Sequence, residues 1–226
     1  MMKSRRISNR MVLFTGCLLL IMLATYSIRS AVAIGGWSGA SALTGTTTAG
    51  VYPDIAVDST GVIHVIYEET GTNLNGDRFI KYTNNKGGTF SAARNLSGPR
   101  KFSNSATLSV VTIGGVVRIQ VTYEGRIDPG KLLTTHVFSI ASNDGGTTWG
   151  PNIDVTPNLT SFKPTVHIDA TGTVHVVYAG FEDQSFLNIF YSYNAGGGWS
   201  APQKIASRKD GDSYNNFPTI ESTYIN

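Results

Sequence analysis

The chain has 226 residues, of which 41% are hydrophobic and 15% are charged, and its formal net charge is +3. Five basic residues and no acidic residue lie among the first 33 residues, so the rest of the chain, with 13 basic and 15 acidic residues, is slightly acidic. This balance excludes the basic footprint that nucleic-acid binding requires, and we expect no nucleic-acid partner.

An apolar segment from Met11 to Tyr26 follows four of these basic residues, and the small-residue triplet Ala31-Val32-Ala33 comes after it. A basic start, an apolar run and a small-x-small triplet are typical of a secretory signal peptide. As a helix the apolar segment would reach about 24 Å, less than the roughly 30 Å of a bilayer's hydrocarbon core. The sequence therefore predicts a signal peptide over residues 1–33 and a secreted or cell-surface protein.

Two alternatives for this segment stay open. Ser27 and Ile28 could lengthen the span, with tilt, into an uncleaved anchor, and the chain would then meet the membrane through this segment alone. Cys17 could carry a lipid, although the apolar residues continue beyond it. Cys17 is the only cysteine in the sequence, so the exported part is predicted to have no disulfide and no thiol chemistry.

Residues 34–50 are predicted to be an N-terminal closing strand followed by a linker. The sequence Gly-Gly-Trp-Ser occurs at 35–38 and again at 197–200, so we interpret its first copy as the last strand of a sheet. Such a strand would join the two ends of a ring of sheets and remove exposed strand edges. A Thr- and Gly-rich stretch, residues 44–50, then leads into the first sheet.

Three copies of a β-hairpin pattern follow and set the period of the chain. Each copy has alternating apolar residues on both sides of a turn and ends on a tyrosine. These tyrosines, Tyr67, Tyr123 and Tyr178, are 56 and 55 residues apart. A third strand, a polar turn and a fourth strand complete each copy, so the sequence predicts an all-β protein built of four-stranded antiparallel β-propeller blades. The blades are expected near residues 53–97, 104–155 and 164–206, with another starting at 217.

About three blades and one strand do not close a ring, because propellers have roughly four to eight blades. We therefore interpret residues 51–226 as part of a propeller that has six blades in the complete protein. The alternative is that several chains assemble one ring. The sequence does not predict the oligomeric state.

A polar turn that ends on an aromatic residue occurs in each copy, at residues 83–90, 142–149 and 192–199. Its Asp or Asn can accept backbone N–H groups, its glycines supply positive φ, and its aromatic residue can pack beneath the turn. Because local hydrogen bonds use up the polar atoms, we predict a structural role. The residues concerned are Asn85, Gly87, Phe90, Ser142, Asp144, Gly146, Thr148, Trp149, Asn194, Gly196 and Trp199.

The sequence has no motif for a nucleotide, thiol, zinc-protease or serine-hydrolase site, so no cofactor is predicted. His64 and His175 stand at equivalent positions of the hairpin pattern. We interpret both as packing residues and expect no metal site.

The turn at residues 142–149 has the pattern Ser-x-Asp-x-Gly-x-Thr-Trp, and it resembles the Asp-box, or bacterial neuraminidase repeat, of β-propellers in the sialidase superfamily. The resemblance covers residues 35–226, with Asn in place of Asp in the other two turns. It implies a sialidase-like propeller, a carbohydrate ligand and, in an active protein, an exo-sialidase-like glycoside hydrolase. Many Asp-box propellers are not sialidases, so the motif is more specific for the fold than for the activity.

The resemblance also indicates where a substrate carboxylate would bind. Sialidases of this kind hold it with arginines, whose planar guanidinium matches both carboxylate oxygens, and the first arginine enters an inner strand. The matching position here is Val51, and the second blade has Asn104, so the arginine clamp is predicted to be incomplete. Asp54 and Arg126 are further candidate substrate-binding residues, and Asp54, as an unpaired acid, could instead be merely hydrated.

Two glutamates are candidate catalytic acids. The resemblance implies an acid/base carboxylate just after the second strand of an early blade, where Glu68 follows Tyr67 and Glu124 follows Tyr123. Burial in a loop could raise the pKa of such a glutamate enough for it to protonate a leaving group. The alternative is that Glu68, Glu69 and Glu124 are solvated loop carboxylates.

The predicted fold and the resemblance leave three candidate functions. The first is a secreted glycoside hydrolase acting on sialylated or related glycans. The second is a non-catalytic module that binds glycan or protein, with loop aromatics such as Phe181, Phe186 and Tyr214 stacking on sugar rings. The third is a structural propeller that spaces other domains of a surface protein.

Overall fold

A computed structural model describes residues 42–43, 49–71, 77–98, 102–128, 134–182, 187–206 and 218–220. These residues belong to one compact unit, Ala42–Asn226. They form β-strands and no helix, and therefore contain no helix that is long and apolar enough to cross a membrane. The predicted signal peptide, the strand predicted at 35–38 and the residues Phe186, Tyr214 and Phe217 lie outside the described residues.

The strands form three antiparallel sheets of four strands, and each sheet has its strands in chain order. The first sheet contains β1 (Gly50–Val57), β2 (Ile63–Thr70), β3 (Arg78–Asn84) and β4 (Arg94–Asn95). The second contains β5 (Ser103–Ile113), β6 (Val116–Arg126), β7 (Thr135–Ser142) and β8 (Ile153–Asp154). The third contains β9 (Thr160–Ile168), β10 (Val174–Phe181), β11 (Leu187–Asn194) and β12 (Gln203–Ala206). The predicted all-β class and the four-stranded antiparallel sheets are confirmed, and each sheet is a meander of the propeller-blade kind.

Asp and Gly shape the first hairpin turn of the first and third sheets. The Asp58 carboxylate accepts the backbone N–H groups of Thr60 at 2.8 Å and Val62 at 3.0 Å. Asp169 repeats this with Thr171 and Thr173, both at 2.9 Å. The second hairpin instead turns through Gly114 and Gly115, both at positive φ. A diglycine turn needs no side-chain acceptor, which explains the looser sequence of this copy.

The first strands β1, β5 and β9 each carry a β-bulge at the same place in the ladder. One non-glycine residue of each bulge has a positive φ: Tyr52 at 50°, Ser105 at 51° and Lys163 at 52°. A side chain in this region costs roughly 1–2 kcal/mol, so surrounding contacts must hold the bulge.

The apolar core lies between successive sheets. One buried cluster joins the first sheet to the second, and it includes Ile66, Ile80, Tyr82, Leu108, Val121, Tyr123 and Ile140. Another joins the second sheet to the third, and it includes Val137, Val155, Val166, Val176, Tyr178 and Phe190. Each sheet thus buries one face against the next.

Side chains of the first strands bond to the next strand of the same kind. The Asp54 carboxylate accepts the Leu108 N–H at 2.8 Å, and the Thr107 hydroxyl lies 3.2 Å from the Val166 N–H. The Thr165 hydroxyl donates to the Pro218 carbonyl at 2.7 Å. Strands β1, β5 and β9 therefore lie side by side, with Pro218 beyond β9.

The three polar turns differ in length, which the sequence comparison missed. In each sheet the last residue before the turn pairs with an equivalent residue of the second strand: Asn84 with His64, Ala141 with Gln120, and Tyr193 with His175. The residues that come next, Asn85, Ser142 and Asn194, are therefore equivalent. Each turn is closed by a backbone hydrogen bond back to the residue before it, from Ser91 to Asn84, from Gly150 to Ala141 and from Ser200 to Tyr193. These bonds enclose residues 85–90, 142–149 and 194–199, so the second turn has eight residues and the other two have six. Aligning the turns on their aromatic ends, as the sequence suggests, places Asn85 and Asn194 opposite Asp144, whereas the strands place them opposite Ser142.

The hydrogen bonds of the turns agree with this register. Ser142 Oγ accepts the N–H groups of residues two and four positions on, at 3.4 and 2.9 Å. Asn194 Oδ1 accepts the N–H groups two and four positions on, at 2.8 and 3.3 Å. Asn85 instead bonds across the hairpin to Ile63, at 2.7 Å.

The aromatic residues that end the turns are not equivalent either. Trp149 packs on Tyr82 of the first sheet with ring centroids 4.8 Å apart, and Trp199 packs against the second buried cluster. Phe90, which was expected to pack in the same way, is exposed. The first sheet has no described sheet on that side for it to pack on.

Candidate functional site

Glu68 and Glu124 hold the bulges of the neighbouring sheets. Glu68 Oε1 accepts the Ser105 N–H at 2.7 Å, and Glu124 Oε2 accepts the Lys163 N–H at 3.0 Å. Both glutamates lie inside a second strand, β2 or β6, and not in a loop as expected. Glu68 is only 1% exposed and Glu124 is half-buried, so neither is a solvated loop carboxylate.

Burial raises the pKa of both carboxyl groups above the ordinary glutamate value. For Glu68 the hydrogen bond from Ser105 and the nearby Arg78 guanidinium oppose this rise in pKa. For Glu124 the hydrogen bond from Lys163 is the main opposing effect on its pKa. Arg78 donates to Glu68 Oε2 at 3.2 Å, so both Glu68 oxygens have partners. Glu68 is therefore poorly placed to give a proton to a ligand.

A cleft opens beside these bulges. It consists of two adjoining cavities of about 540 and about 500 Å³, and Arg78, Asn104 and Lys163 line both of them. Arg126 and Glu124 line the first cavity, and Glu68 and Tyr52 line the second. We call this space the bulge-side cleft.

The bulge-side cleft has more cationic than anionic side chains. Three cationic side chains, Arg78, Arg126 and Lys163, line it against two carboxyl groups, those of Glu68 and Glu124. Aromatic side chains lie among them: the Arg126 guanidinium carbon is 4.6 Å from the ring centre of Phe102, and Phe162 and Phe181 line the same cavity. Cations beside aromatic rings can bind a ligand that carries both an acidic group and an apolar face.

Asp54 is not the unpaired acid that the sequence suggested. One carboxylate oxygen accepts the Leu108 N–H at 2.8 Å, and the other accepts the N–H of the next residue, Ile55, at 2.9 Å. Thr107 and Thr165 take its place in the other two sheets. Asp54 therefore joins adjacent first strands and lies outside the residues that line the bulge-side cleft.

The cleft includes residues that sequence reasoning missed. Arg78, Lys163, Phe102 and Phe162 were not singled out, whereas Asn104 and Phe181 were considered and do line it. One available signal was the pair Lys163-Pro164, which matches Tyr52-Pro53 two repeat periods earlier and marks the bulge. Val51, at the position that the resemblance gives to an arginine, pairs with Glu68 in the ladder.

The Asp144 carboxylate is occupied by its own turn. It accepts the Thr148 N–H at 2.8 Å and the Thr148 hydroxyl at 2.6 Å, while Ser142 donates to it at 2.8 Å. The hydrogen bonds from Thr148, supported by that from Ser142, lower the pKa of Asp144 to about 2. The carboxylate thus stabilises the turn.

His64 and His175 take part in matching hydrogen-bond chains. His64 lies 2.7 Å from the Tyr82 hydroxyl and 3.3 Å from Asp58, and His175 lies 2.7 Å from the Tyr191 hydroxyl and 3.2 Å from Asp169. Within the described ranges no group of three or more His, Cys, Asp or Glu residues could hold a metal ion. These histidines connect a hairpin turn to the third strand of the same sheet.

No protein-family model and no curated protein matches the chain. Solved structures do match. One is a protein of unknown function from Dyadobacter fermentans, with a TM-score of 0.53 and 15% identity over 78% of this chain and 60% of that chain. Another is the GH93 α-L-arabinofuranosidase of Fusarium graminearum in complex with arabinobiose, with a TM-score of 0.52 and 15% identity over 74% of this chain and 52% of that one.

A microbial sialidase, Hz136, matches with a TM-score of 0.47 and 14% identity, over 66% of this chain and 37% of that chain. The chain therefore spans less than two thirds of each of these structures. At such identities the likeness shows the fold alone. The two matches with TM-scores above 0.5 agree with the four-stranded sheets described above.

Proposed function

We propose that this chain is part of an exported Asp-box propeller of the sialidase superfamily and that its bulge-side cleft binds an acidic glycan. The observation that carries the proposal is the convergence of Arg78, Arg126 and Lys163 with aromatic side chains in one cleft. Guanidinium groups bind carboxylates through paired hydrogen bonds, and aromatic rings pack on the apolar face of a sugar. The arabinobiose bound to the Fusarium graminearum enzyme is a carbohydrate ligand of a similar fold.

The cleft's charge favours an acidic ligand over a neutral one. Glu68 and Glu124 are engaged by backbone N–H groups of the bulges, and burial shifts both towards the uncharged form. Three cationic side chains, Arg78, Arg126 and Lys163, line the cleft against these two carboxyl groups, so it has an excess of positive charge even when both glutamates are ionised. Such a cleft can select sialylated or uronic-acid-containing glycans through the carboxylate.

Isothermal titration of the full chain with sialyllactose tests this proposal. Replacing Arg126 by Gln removes a charged donor from the cleft, and a charged hydrogen bond contributes about 1.5–3 kcal/mol, so we expect roughly 10- to 100-fold weaker binding. Lys86→Gln is the matched control, because Lys86 is exposed in the turn after β3 and does not line the cleft. Equal sialyllactose affinity of the parent chain and the Arg126→Gln variant would contradict the proposal.

A second candidate function is glycoside hydrolysis with Glu124 as the general acid. It is favoured by one observation: Glu124 lines the cleft and burial raises its pKa, which suits a proton donor. The test is hydrolysis of a fluorogenic sialoside by the complete protein. Turnover that Glu124→Gln abolishes, with sialyllactose binding retained, supports catalysis, and no turnover above a blank without enzyme refutes it.

A further inference from the structure

The second sheet departs from a side-chain pair that the first and third sheets share. Tyr82 pairs with Ile66 and Tyr191 pairs with Val177, and each tyrosine hydroxyl lies 2.7 Å from a histidine of its own sheet. In the second sheet the equivalent of these tyrosines is Ser139, which pairs with Thr122. Register likewise places Gln120 where the other sheets have histidine. Two large rings are thus replaced by a serine and a glutamine.

This replacement leaves space between the second and third sheets. Tyr82 fills the corresponding position between the first two sheets, where Trp149 packs against its ring. Beside Ser139 there is instead a cavity of about 620 Å³. Trp149 and Trp199 both line it, together with Gln120, Ser139 and Asn194. Its volume is in the usual range for a small-molecule site, roughly 300–1,000 Å³.

The polar atoms of this cavity suit hydroxyl groups. Gln120 donates through Nε2 to Ser139 and to the Ile140 carbonyl, which orients its amide, and no hydrogen bond between described residues engages its Oε1. Asn194 uses Oδ1 to accept two turn N–H groups, so its Nδ2 points away from them as a donor. The Trp199 indole N–H makes no hydrogen bond to any described residue. An oriented acceptor and two donors match the alternating hydroxyl groups of a sugar.

The charge of the cavity separates it from the bulge-side cleft. None of the described residues that line it is Lys, Arg or His. Its one carboxylate, Asp144, is held by Ser142 and Thr148 of its own turn. An acidic ligand would therefore meet no compensating cation here, whereas a neutral one with an apolar face could stack on the indole rings.

We propose that this cavity is a second carbohydrate site, which binds a neutral sugar residue between Trp149 and Trp199. The site lies at the polar turns of the second and third sheets and shares no lining residue with the bulge-side cleft. It does not depend on the acidic-glycan proposal.

The three indole N–H signals of the full chain provide the test. The sequence has three tryptophans, so a ¹⁵N correlation spectrum contains three indole signals, and the variants Trp149→Phe and Trp199→Phe assign the two that matter. Neutral oligosaccharides of glucose, galactose, mannose, xylose and N-acetylglucosamine are titrated to about 10 mM, which detects even millimolar affinity. We expect saturable shifts of the Trp149 and Trp199 signals with at least one of them.

Filling the cavity gives the second arm of the test. Ser139→Tyr restores the ring present in the other two sheets, and we expect at least 10-fold weaker binding of the neutral sugar, with sialyllactose binding retained. Ser139→Ala keeps the space and removes one of the two hydrogen bonds that orient Gln120, so we expect it to weaken binding of the neutral sugar by less than Ser139→Tyr does. The proposal is overturned if no neutral sugar shifts the indole signals, if only an acidic sugar does so, or if Ser139→Tyr binds as well as the parent. If Ser139→Tyr does not fold, the titration of the parent chain still decides.

Discussion

At the residue scale, a glutamate of one sheet and a strained bulge of the next sheet depend on each other. Ser105 and Lys163 have positive φ, and their N–H groups point to Glu68 and Glu124 of the preceding sheet. A buried N–H without an acceptor costs about 1–3 kcal/mol, so the carboxylate offsets a cost that the bulge would otherwise carry. The third sheet has Ala179 at the equivalent position. These glutamates therefore have a structural role whether or not either one acts on a ligand.

The titration of Glu124 gives a pH-dependent prediction. Burial raises its folded-state pKa above the ordinary 4.5, so just above pH 4.5 the folded chain binds more protons than the unfolded chain. The stability that this carboxyl contributes is complete below pH 4.5 and is lost as the pH rises through the folded pKa. Glu124→Gln does not titrate and can still accept the Lys163 N–H through its amide oxygen. We expect this variant to gain free energy of unfolding relative to the parent as the pH rises from 4.5.

Urea unfolding between about pH 4 and about pH 8 measures this difference. Glu182→Gln is the control, because Glu182 is an exposed carboxylate paired with Lys204. If the difference in unfolding free energy between the parent and Glu124→Gln stays constant over this pH range, the folded-state pKa of Glu124 is not raised.

The close approach of Gly146 to Tyr82 gives a second prediction at this scale. Gly146 has φ +86°, and a Cβ there would overlap the Tyr82 hydroxyl and lie 2.6 Å from Cζ. Gly88 has φ +85° and no neighbouring atom within 4 Å of such a Cβ. We expect Gly88→Ala to lower the free energy of unfolding by about 1–2 kcal/mol, through strain alone. Gly146→Ala should cost a further 1–3 kcal/mol or so, because the methyl group also displaces Tyr82.

Chemical denaturation of the two variants provides the comparison. Equal losses of stability would mean that the turn at 142–149 does not pack on the first sheet.

At the element scale, the first strands are joined by side chains and not by a shared β-ladder. Asp54, Thr107 and Thr165 occupy equivalent positions, and each bonds to the backbone of the next first strand or of Pro218. Short hydroxyl and carboxylate side chains suit this task, because they reach across the gap and bond to backbone groups of the next strand.

Removing one such hydroxyl should loosen two adjacent sheets. Thr107 bonds to the Val166 N–H and to the Pro164 carbonyl, so Thr107→Val leaves a part-buried N–H unsatisfied. We expect this variant to lose about 1–2 kcal/mol of unfolding free energy, and Thr89→Val, at an exposed turn residue, to lose none that is measurable. Thermal and urea unfolding of both variants check this. A Thr107→Val variant as stable as the Thr89→Val control would contradict the role of the hydroxyl.

Elements with a strong period were predictable from the sequence, and contacts between sheets were not. The pattern that ends on Tyr67, Tyr123 and Tyr178 specified the hairpins because it recurs at a nearly constant spacing, although these second strands are buried on both faces over five consecutive residues. The bulge N–H groups that engage Glu68 and Glu124 left no periodic signal, because their partners are 37 and 39 residues away. The turn at 142–149 was misaligned with the other two turns because the sequences were matched at their aromatic ends. Nothing in the sequence marks the two extra residues of this turn.

At the scale of the whole molecule, apolar side chains are buried between successive sheets, and the two candidate sites lie at separate places on the sheets. The bulges of the first strands line the cationic cleft, and the polar turns of the second and third sheets line the cavity that contains two tryptophans and, among its described lining residues, no cation. The cleft is formed at the β-bulge, which all three sheets have. The cavity is formed where the second sheet has Ser139 and Gln120 in place of the tyrosine and histidine of its neighbours. The sequence indicated a carbohydrate ligand only through the resemblance of its turns, since no single residue pattern marks either site.

A crystal structure of the full chain grown with sialyllactose tests this account most directly. We predict that β1, β5 and β9 lie side by side and that the sugar carboxylate lies within hydrogen-bond distance of Arg78, Arg126 or Lys163 in the bulge-side cleft. Sialyllactose bound only elsewhere, or sheets that do not pack face to face in this order, would contradict it.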